Sequence, residues 1–257
     1  MALSKCEGVI LRVKDFGEAD RILTILSDTD GKFDAVARGA RRPRSRLVGV
    51  TQQFSRVNAL LFRGRNLDTL STVELLSSYS SITSDVMKMA YASYVAELVD
   101  LMTGERQRNE MLYALVISTF EALDAGPADP DMVLKAFEIK FMSVSGFRPE
   151  LARCVSCGKP ENQASWFGPE AGGLLCDGCR SSDWGSVRFS AATRELAKRL
   201  LIWDYDMIAV LKPSRSSFEE LNNAFRAYVD QRVGRKLHSL DFISDLKSME
   251  RGGKQDS

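Results

Sequence analysis

The sequence predicts a multi-domain α+β protein in which a small N-terminal β-barrel is followed by an all-α domain that contains an inserted four-cysteine motif. Two observations carry this prediction. Apolar residues follow a strand period up to about residue 76 and a helical period after residue 84. Four of the five cysteines lie between residues 154 and 179. The predicted segments are a barrel over 1–80, a helical domain over 81–250 with the cysteine motif at 150–183, and a disordered tail over 251–257.

The N-terminal part contains five short runs with the character of strands. The sequence Asp28-Thr-Asp-Gly31 predicts a hairpin turn between the second and third runs. About five closely spaced strands in fewer than eighty residues favour a closed barrel, because closure removes exposed strand edges. The predicted strands are Cys6–Val13, Arg21–Leu26, Lys32–Arg38, Thr51–Phe62 and Leu67–Leu76.

Helical apolar stripes begin after Ser84 and continue towards the C-terminus. Asp129 and Pro130 supply an N-cap and a first-turn proline for one helix, which Gly146 is expected to end. The spacing Ser216-x-x-Glu219 predicts a capping box at the start of a later helix. These stripes are expected to form the core of the second domain.

The charge of the chain is segregated along the sequence. The formal net charge of the 257 residues is only +1, but the stretch from Lys32 to Arg65 holds nine basic residues and one acidic residue, Asp34, and so carries +8. A concentrated field of this kind survives a neutral total, because salt screens charge over only about 8 Å. The nine basic residues are Lys32, Arg38, Arg41, Arg42, Arg44, Arg46, Arg56, Arg63 and Arg65.

The sequence indicates a cytoplasmic protein. Charged residues interrupt the segment Leu3–Glu7, where a signal peptide would need an apolar run. No apolar stretch reaches the roughly 18 residues of a membrane span. The odd number of cysteines fits a reducing compartment better than a disulfide framework, and the lone Cys6 is expected to be a buried small residue.

The cysteine spacing predicts a structural zinc site. Cys154-x-x-Cys157 and Cys176-x-x-Cys179 are separated by a loop of a length that zinc ribbons use, and four thiolates leave no open position for water or substrate. One Zn²⁺ ion is therefore expected to hold this segment together. Two redox dithiols, an iron–sulfur cluster and unrelated free thiols remain the alternative interpretations.

An arginine-rich loop predicts a binding site for a polyanion. Between Arg38 and Arg46 the sequence places five arginines, and Gly39 and Pro43 interrupt any helix or strand. A flexible loop of this kind suits phosphate, because guanidinium pairs bidentately with phosphate and stays charged. Arg63 and Arg65 are expected to add a second edge to the same surface. A merely solvated loop, a membrane surface and an acidic protein partner are the competing interpretations.

Three barrel aromatics, Phe33, Phe54 and Phe62, are either base-stacking platforms or core residues, and alternating strand aromatics more often face the core. No base-reading motif such as a helix-turn-helix is present, which favours binding that is independent of DNA sequence.

The sequence lacks the motifs of an enzyme. The single histidine, His238, lies far from the cysteines and is expected to be a surface or capping residue. Neither a phosphate-binding glycine loop nor a nucleophile elbow is found. A nuclease whose carboxylates are scattered along the sequence remains an open alternative.

Several short motifs occur together in a characteristic order. They are Gly8-Val-Ile-Leu11, Gly17-Glu-Ala-Asp-Arg21, Ala37-Arg-Gly-Ala-Arg41 and the later cysteine set. In this order, over almost the whole chain, they resemble the RecO family of bacterial DNA repair proteins, which are recombination mediators. The resemblance implies an OB-fold, a helical domain and an inserted zinc motif. Because some family members lack the cysteines, it also implies that the zinc is stabilising.

The resemblance further implies a non-enzymatic function. Members of the family bind single- and double-stranded DNA, anneal complementary strands, associate with RecR and contact the acidic C-terminal tail of single-stranded-DNA-binding protein to assist loading of RecA. The alternative is a zinc-ribbon scaffold whose arginine loop binds an acidic protein. Carried onto this chain, the DNA contacts fall on Lys32, Arg38, Arg41, Arg42, Arg44, Arg46, Arg63 and Arg65, and zinc on Cys154, Cys157, Cys176 and Cys179. The tail site is expected in the helical domain, with Lys135, Lys140, Arg148, Arg194 and Lys198 as available cations.

Overall fold

The computed structural model describes residues 3–65, 67–160 and 165–252. None of the helices in these ranges is long and apolar enough to cross a bilayer. The strands are β1 (Leu3–Phe16), β2 (Asp20–Ser27), β3 (Gly31–Ala37), β4 (Arg56–Phe62), β5 (Asp68–Ser77), β6 (Ser165–Gly168), β7 (Gly173–Leu175) and β8 (Val187–Phe189). The α-helices are α1 (Leu47–Val50), α2 (Ser80–Ser84), α3 (Val86–Met102), α4 (Glu110–Ala125), α5 (Pro130–Val144), α6 (Ala191–Ile202), α7 (Tyr205–Ala209), α8 (Arg215–Val233) and α9 (His238–Gly252).

The first five strands form the predicted closed barrel, in the order β1-β2-β3-β5-β4. All neighbouring strands are antiparallel except β3 and β5, which close the barrel through a short parallel pairing at Ala35–Asp68 and Val36–Thr69. The turn between β2 and β3 falls at residues 28–30, as the sequence predicted. The five-stranded, OB-like barrel is confirmed.

The barrel encloses a core of small and aliphatic side chains with one aromatic ring, Phe33. Cys6 belongs to this core, as predicted, and burial raises the pKa of its thiol to about 12. Phe54 is also buried. Phe33 and Phe54 are therefore core residues rather than platforms for bases.

Two strand predictions needed correction. The predicted strand Thr51–Phe62 begins only at Arg56, because residues 51–55 form a turn in which Phe54 adopts a positive φ of 71°. Strict alternation along β1 also fails: a register shift between Ile10 and Arg12 leaves Val9, Ile10 and Leu11 all buried. A bulge of this kind turns consecutive side chains inwards, which a period of two cannot represent.

The helices divide between two compact units rather than forming one domain over 81–250. Unit 1 contains residues 1–125 and 237–257, so α2, α3, α4 and α9 belong to the same unit as the barrel, and α9 packs on α3. Unit 2 is the continuous segment Gly126–Lys236. The predicted boundary at residue 80 marks the change from strand to helix but does not mark the change of unit. α9 extends through Gly252, so residues 251 and 252 of the predicted tail are helical, and residues 253–257 lie outside the described residues.

Unit 2 combines α5–α8 with a three-stranded sheet in the order β7-β6-β8. The sheet packs on α8 through an aromatic cluster in which the ring of Phe167 lies 5.5 Å from those of Phe225 and Tyr228. Asp129 caps α5 as predicted, accepting a hydrogen bond from the backbone N–H of Asp131. The predicted capping box at Ser216 is wrong. The N-cap of α8 is Ser214, whose hydroxyl accepts from the backbone of Ser217, and α8 begins one residue later at Arg215.

Candidate nucleic-acid interface and metal centre

The loop after β3, residues 38–46, is anchored rather than flexible; we call it the arginine loop. The Asp20 carboxylate accepts a hydrogen bond from the backbone N–H of Gly39 at 2.7 Å, and the N–H of Arg41 donates to Ala19 O at 2.9 Å. The side chain of Ala40 is buried in the barrel core. The two sequence motifs around Gly17 and Gly39 therefore meet at one end of the barrel, where both glycines adopt positive φ angles that favour glycine.

Four arginines of the arginine loop keep their charge for an external ligand. Arg38, Arg42, Arg44 and Arg46 are exposed, and none has an ion-pair or side-chain hydrogen-bond partner within residues 3–65, 67–160 and 165–252. Arg41 is exposed too, but its guanidinium lies 3.3 Å from the Asp15 carboxylate and donates to Gly17 O. The anchored loop thus presents four exposed cations.

Of the three other residues predicted to contact DNA, two are paired with carboxylates and one is exposed. Lys32 is buried and its ammonium group pairs with Asp100 at 3.0 Å. Arg63 pairs with Asp30 at 2.5 Å and with the fully buried Asp68 at 3.0 Å. These two cations hold the protein together and are not free for phosphate. Arg65 is exposed and has no ion-pair partner in the described part of the chain.

The structure separates Arg63 and Arg65 from the arginine loop. Arg63 contacts Asp30 in the turn after β2, whereas the arginine loop is bonded to Asp20, where β2 begins. With a rise of about 3.3 Å per residue, the eight-residue β2 sets these ends roughly 20 to 25 Å apart. The expectation that they form two edges of one surface is wrong, because the antiparallel order sends successive loops to opposite barrel ends.

Sequence reasoning missed two residues at the arginine end of the barrel. Lys14 and Phe16 lie two positions apart on β1 and are both exposed, with Phe16 at 50%. Phe16 pairs in register with Asp20, the residue that anchors Gly39. The period-two spacing of Lys14 and Phe16 at the end of a strand indicates that both face the same side. The sequence does not show that the turn after Phe16 contacts the arginine loop.

The four predicted metal ligands come together at the edge of the unit 2 sheet. Their sulfur atoms all lie within 4.8 Å of one another, and those of Cys157 and Cys176 are 3.9 Å apart. A tetrahedral zinc site with Zn–S distances of about 2.3 Å requires sulfurs about 3.8 Å apart. The cluster therefore has the geometry to hold one metal ion.

Backbone groups orient the sulfurs. The N–H of Gly158 donates to Cys154 O and that of Cys179 to Cys176 O, both at 2.9 Å, which closes the two tight turns. Burial raises the pKa of Cys154, but backbone N–H groups of Cys176, Cys157 and Ser156 outweigh it and lower the pKa to about 6. The Ser156 side chain lowers the pKa of Cys179, yet the thiols of Cys176 and Cys157 prevail and raise it to about 11. Four sulfurs this close favour a bound cation, because thiolates repel one another.

Unit 2 also contains a groove with a volume of about 330 Å³. Leu151, Leu201 and Ile202 are apolar residues of its lining, Arg148 and Lys198 are its cations, and Glu150 adds a carboxylate. We call it the α6 groove.

The other three predicted tail cations are engaged elsewhere. Lys140 donates to the carbonyl oxygens of Leu201 and Trp203, and its pKa is lowered by burial. Lys135 is buried against Glu138, and Arg194 also has an intramolecular partner.

His238 is exposed at the first turn of α9, as expected of a surface residue, and its backbone N–H donates to Glu97.

Comparison with known proteins agrees with this arrangement over nearly the whole chain. Residues 1–79 match the family description "Recombination protein O N terminal", and residues 83–241 match "Recombination protein O C terminal". A DNA repair protein RecO from Symbiobacterium thermophilum is 42% identical over 251 residues, which cover 96% of this chain and 99% of the relative. Those from Alkaliphilus metalliredigens and Listeria innocua are 36% and 32% identical and cover 95% and 99% of this chain, and 100% and 99% of their own lengths.

Fold and sites together define a class of protein in which an OB-like barrel with an anchored arginine loop is combined with a helical unit that contains a four-cysteine cluster. Within that class, the chain belongs to the RecO family of DNA repair proteins.

Proposed function

We propose that this protein is a DNA-binding recombination mediator that binds single- and double-stranded DNA through the arginine loop. The observation that carries the proposal is the set of four exposed arginines without intramolecular partners, held on a loop that Asp20 and Ala40 anchor. Cations on an anchored loop pair with phosphates at a smaller entropic cost than cations on a mobile loop. The binding is expected to depend on the DNA backbone rather than on base sequence.

A salt series tests this proposal. Replacing Arg38, Arg42, Arg44 and Arg46 by alanine should make the log–log dependence of single-stranded oligonucleotide affinity on salt shallower by about 0.7 per lost contact, or roughly 3 in total. The control replaces Arg108, Arg199, Arg215 and Arg226, exposed arginines that pair with nearby carboxylates, and removes the same net charge. Equal slopes for the two variants would move the DNA site away from the arginine loop. Absence of wild-type binding at low salt would refute the proposal and favour the scaffold alternative.

Strand annealing follows from the same surface. Two DNA strands repel along their phosphates, and a basic surface that holds both lowers the cost of their meeting without a nucleotide. We therefore propose that the protein anneals complementary strands and assists RecA loading without enzymatic turnover. We further propose that it acts together with RecR, in the cytoplasm at the nucleoid. Annealing of two labelled oligonucleotides should proceed in chelator with both strands intact, whereas strand cleavage that requires a divalent metal would support the nuclease alternative.

The α6 groove is the proposed site for the C-terminal tail of single-stranded-DNA-binding protein. An acidic, apolar tail needs apolar contacts and cations, which Leu201, Ile202, Arg148 and Lys198 of the groove lining supply. Lys198→Glu should weaken binding of a labelled tail peptide at least tenfold, because it reverses one of these charges. Arg215→Glu is the matched control, since that residue lies on α8 outside the groove. Equal effects of the two substitutions would contradict the assignment.

We propose that the cysteine cluster holds one structural Zn²⁺. The purified protein should contain about one zinc per chain by elemental analysis, and Cys176→Ser should lower both the zinc content and the melting temperature. A loss of about 2 kcal/mol would move the melting temperature of unit 2 by roughly 10 °C. Iron or inorganic sulfide in the purified protein would instead support an iron–sulfur cluster.

A further inference from the structure

The barrel contains four aromatic residues, Phe16, Phe33, Phe54 and Phe62, and they differ in what they can touch. Phe33 and Phe54 are buried in the protein. Phe62 is partly exposed, but it pairs with Leu3 at the barrel end far from the arginine loop. Phe16 alone among the four is half exposed at the arginine end.

The position of Phe16 is fixed by its neighbours. It is the last residue of β1 and pairs directly with Asp20, and side chains of directly opposed residues project to the same face of a sheet. The Asp20 carboxylate accepts from Gly39 of the arginine loop. The two neighbours of Phe16 in sequence, Asp15 and Gly17, both contact the guanidinium of Arg41. The ring therefore lies on an ordered hairpin tip that is bonded to the arginine loop.

Basic residues of β1 and of the arginine loop lie at this end of the barrel. Lys14 lies two residues earlier on the same face of β1 and has no ion-pair partner within the described ranges. Arg38 and Arg41 flank Gly39 and Ala40, at the point where the loop is tied to the hairpin. An exposed aromatic ring on an ordered tip, with exposed cations nearby, suits single-stranded nucleic acid, in which bases stack on rings while cations track the backbone.

We propose that Phe16 stacks on an unpaired base, with Lys14 and Arg38 near it on the flanking phosphates, so that this end of the barrel prefers single-stranded DNA to duplex. The inference deepens the proposed DNA-binding function and rests on it. In a duplex the bases are already stacked inside the helix, and an aromatic ring gains no base without unstacking one. The arginine loop supplies affinity for both forms of DNA, and Phe16 distinguishes between them.

The test crosses a protein substitution with a change in the ligand. Wild type and Phe16→Ala are titrated with a thymidine oligonucleotide and with an abasic oligonucleotide of the same length, which keeps the phosphates and lacks the bases. Phe16→Ala should weaken binding of the thymidine oligonucleotide by about five- to 150-fold, the range of one base–aromatic stack, and leave abasic and duplex binding unchanged. Phe62→Ala removes an aromatic from the opposite end and should change neither affinity.

Two further variants exclude a folding effect. Phe16→Tyr keeps an aromatic ring and should retain wild-type affinity, whereas Phe16→Leu keeps an apolar side chain of similar size and should behave like Phe16→Ala; thermal melts check that all of them fold. An equal loss on thymidine and abasic oligonucleotides, or no loss on either, would overturn the assignment of Phe16 while wild-type binding still supports the DNA-binding function. If wild type binds neither oligonucleotide at low salt, the proposed function fails and the role of Phe16 fails with it.

Discussion

Seven of the nine basic residues between Lys32 and Arg65 fall into two groups that the sequence does not distinguish. Lys32, Arg56 and Arg63 are each paired with carboxylates of unit 1, at distances between 2.5 and 3.2 Å. Arg38, Arg42, Arg44 and Arg46, on the arginine loop, have no such partner in the described residues. Arg41 shares its charge with Asp15, and Arg65 is exposed. A local charge of +8 therefore overstates the charge that a ligand meets, because the paired cations are already neutralised.

The two groups should respond to substitution in opposite ways. Removing a partner from the paired group leaves a half-buried charge without compensation, which lowers the free energy of unfolding. Removing a cation from the arginine loop leaves folding almost unchanged and lowers DNA affinity.

The largest effect is expected at Asp68, whose buried carboxylate accepts hydrogen bonds from Arg63, Arg106 and the backbone of Gly64. Asp68→Asn should lower the free energy of unfolding by about 3 kcal/mol, because two guanidinium groups lose their shared carboxylate. Unfolding in denaturant measures this change in the free energy of unfolding. The control Asp15→Asn changes an exposed carboxylate at the other end of the barrel and should cost less than about 1 kcal/mol. Similar losses for both variants would remove the distinction between the two groups.

An intermediate effect is expected where the arginine loop is anchored. Asp20→Ala removes a negative charge beside the loop. If electrostatics alone mattered, the loss of this charge would tighten DNA binding. We expect the reverse, an affinity about five-fold weaker, because Gly39 loses its hydrogen-bond acceptor and the loop becomes mobile. Asp15→Ala removes a charge at the same end without touching that anchor and should bind DNA slightly more tightly, since Arg41 is released. Tighter binding by both variants in fluorescence anisotropy would show that charge matters more than order.

The smallest effect concerns pH and the pair between Glu7 and Arg56. Burial raises the pKa of Glu7, but hydrogen bonds from Tyr113 and Arg56 prevail and lower it below the ordinary value of 4.5. A pKa that is depressed on folding contributes stability above the unfolded pKa, and that contribution is lost as pH falls through the folded pKa. Glu7→Gln should therefore cost about 1 kcal/mol at pH 7, and the difference from wild type should shrink below about pH 4. A difference that stays constant between pH 7 and pH 3 would contradict this account.

Local features of the fold could be predicted from the sequence. The turn at residues 28–30, the cap at Asp129 and the paired Cys-x-x-Cys turns each depend on residues within a few positions of one another. The closed barrel followed from the number and spacing of its strands. The wrong prediction of the α8 N-cap also concerned neighbouring residues. Ser214 and Ser216 both have hydroxyl groups, and the backbone N–H of Ser217 donates to that of Ser214.

The division of the cations could not be predicted, because it depends on distant partners. The carboxylate that neutralises Lys32 is 68 residues away, in α3. The separation of Arg63 from the arginine loop depends on the order of the barrel strands, in which β4 pairs with β1 and β5 pairs with β3. The role of Phe16 was hidden for the same reason, since its hairpin and the arginine loop meet only after β2 and β3 have paired.

The helix α9 gives unit 1 a particular order of assembly during translation. Glu97 of α3 accepts hydrogen bonds from the backbone N–H groups of His238 and Ser239, and Lys247 lies 5.6 Å from the ring of Tyr91. Unit 2 is one continuous stretch that ends at Lys236. On the ribosome, all of unit 2 therefore emerges before unit 1 can receive its last helix. A nascent chain interrupted between the two would have a complete cysteine-containing unit and a barrel unit whose α3 still lacks its contacts with α9.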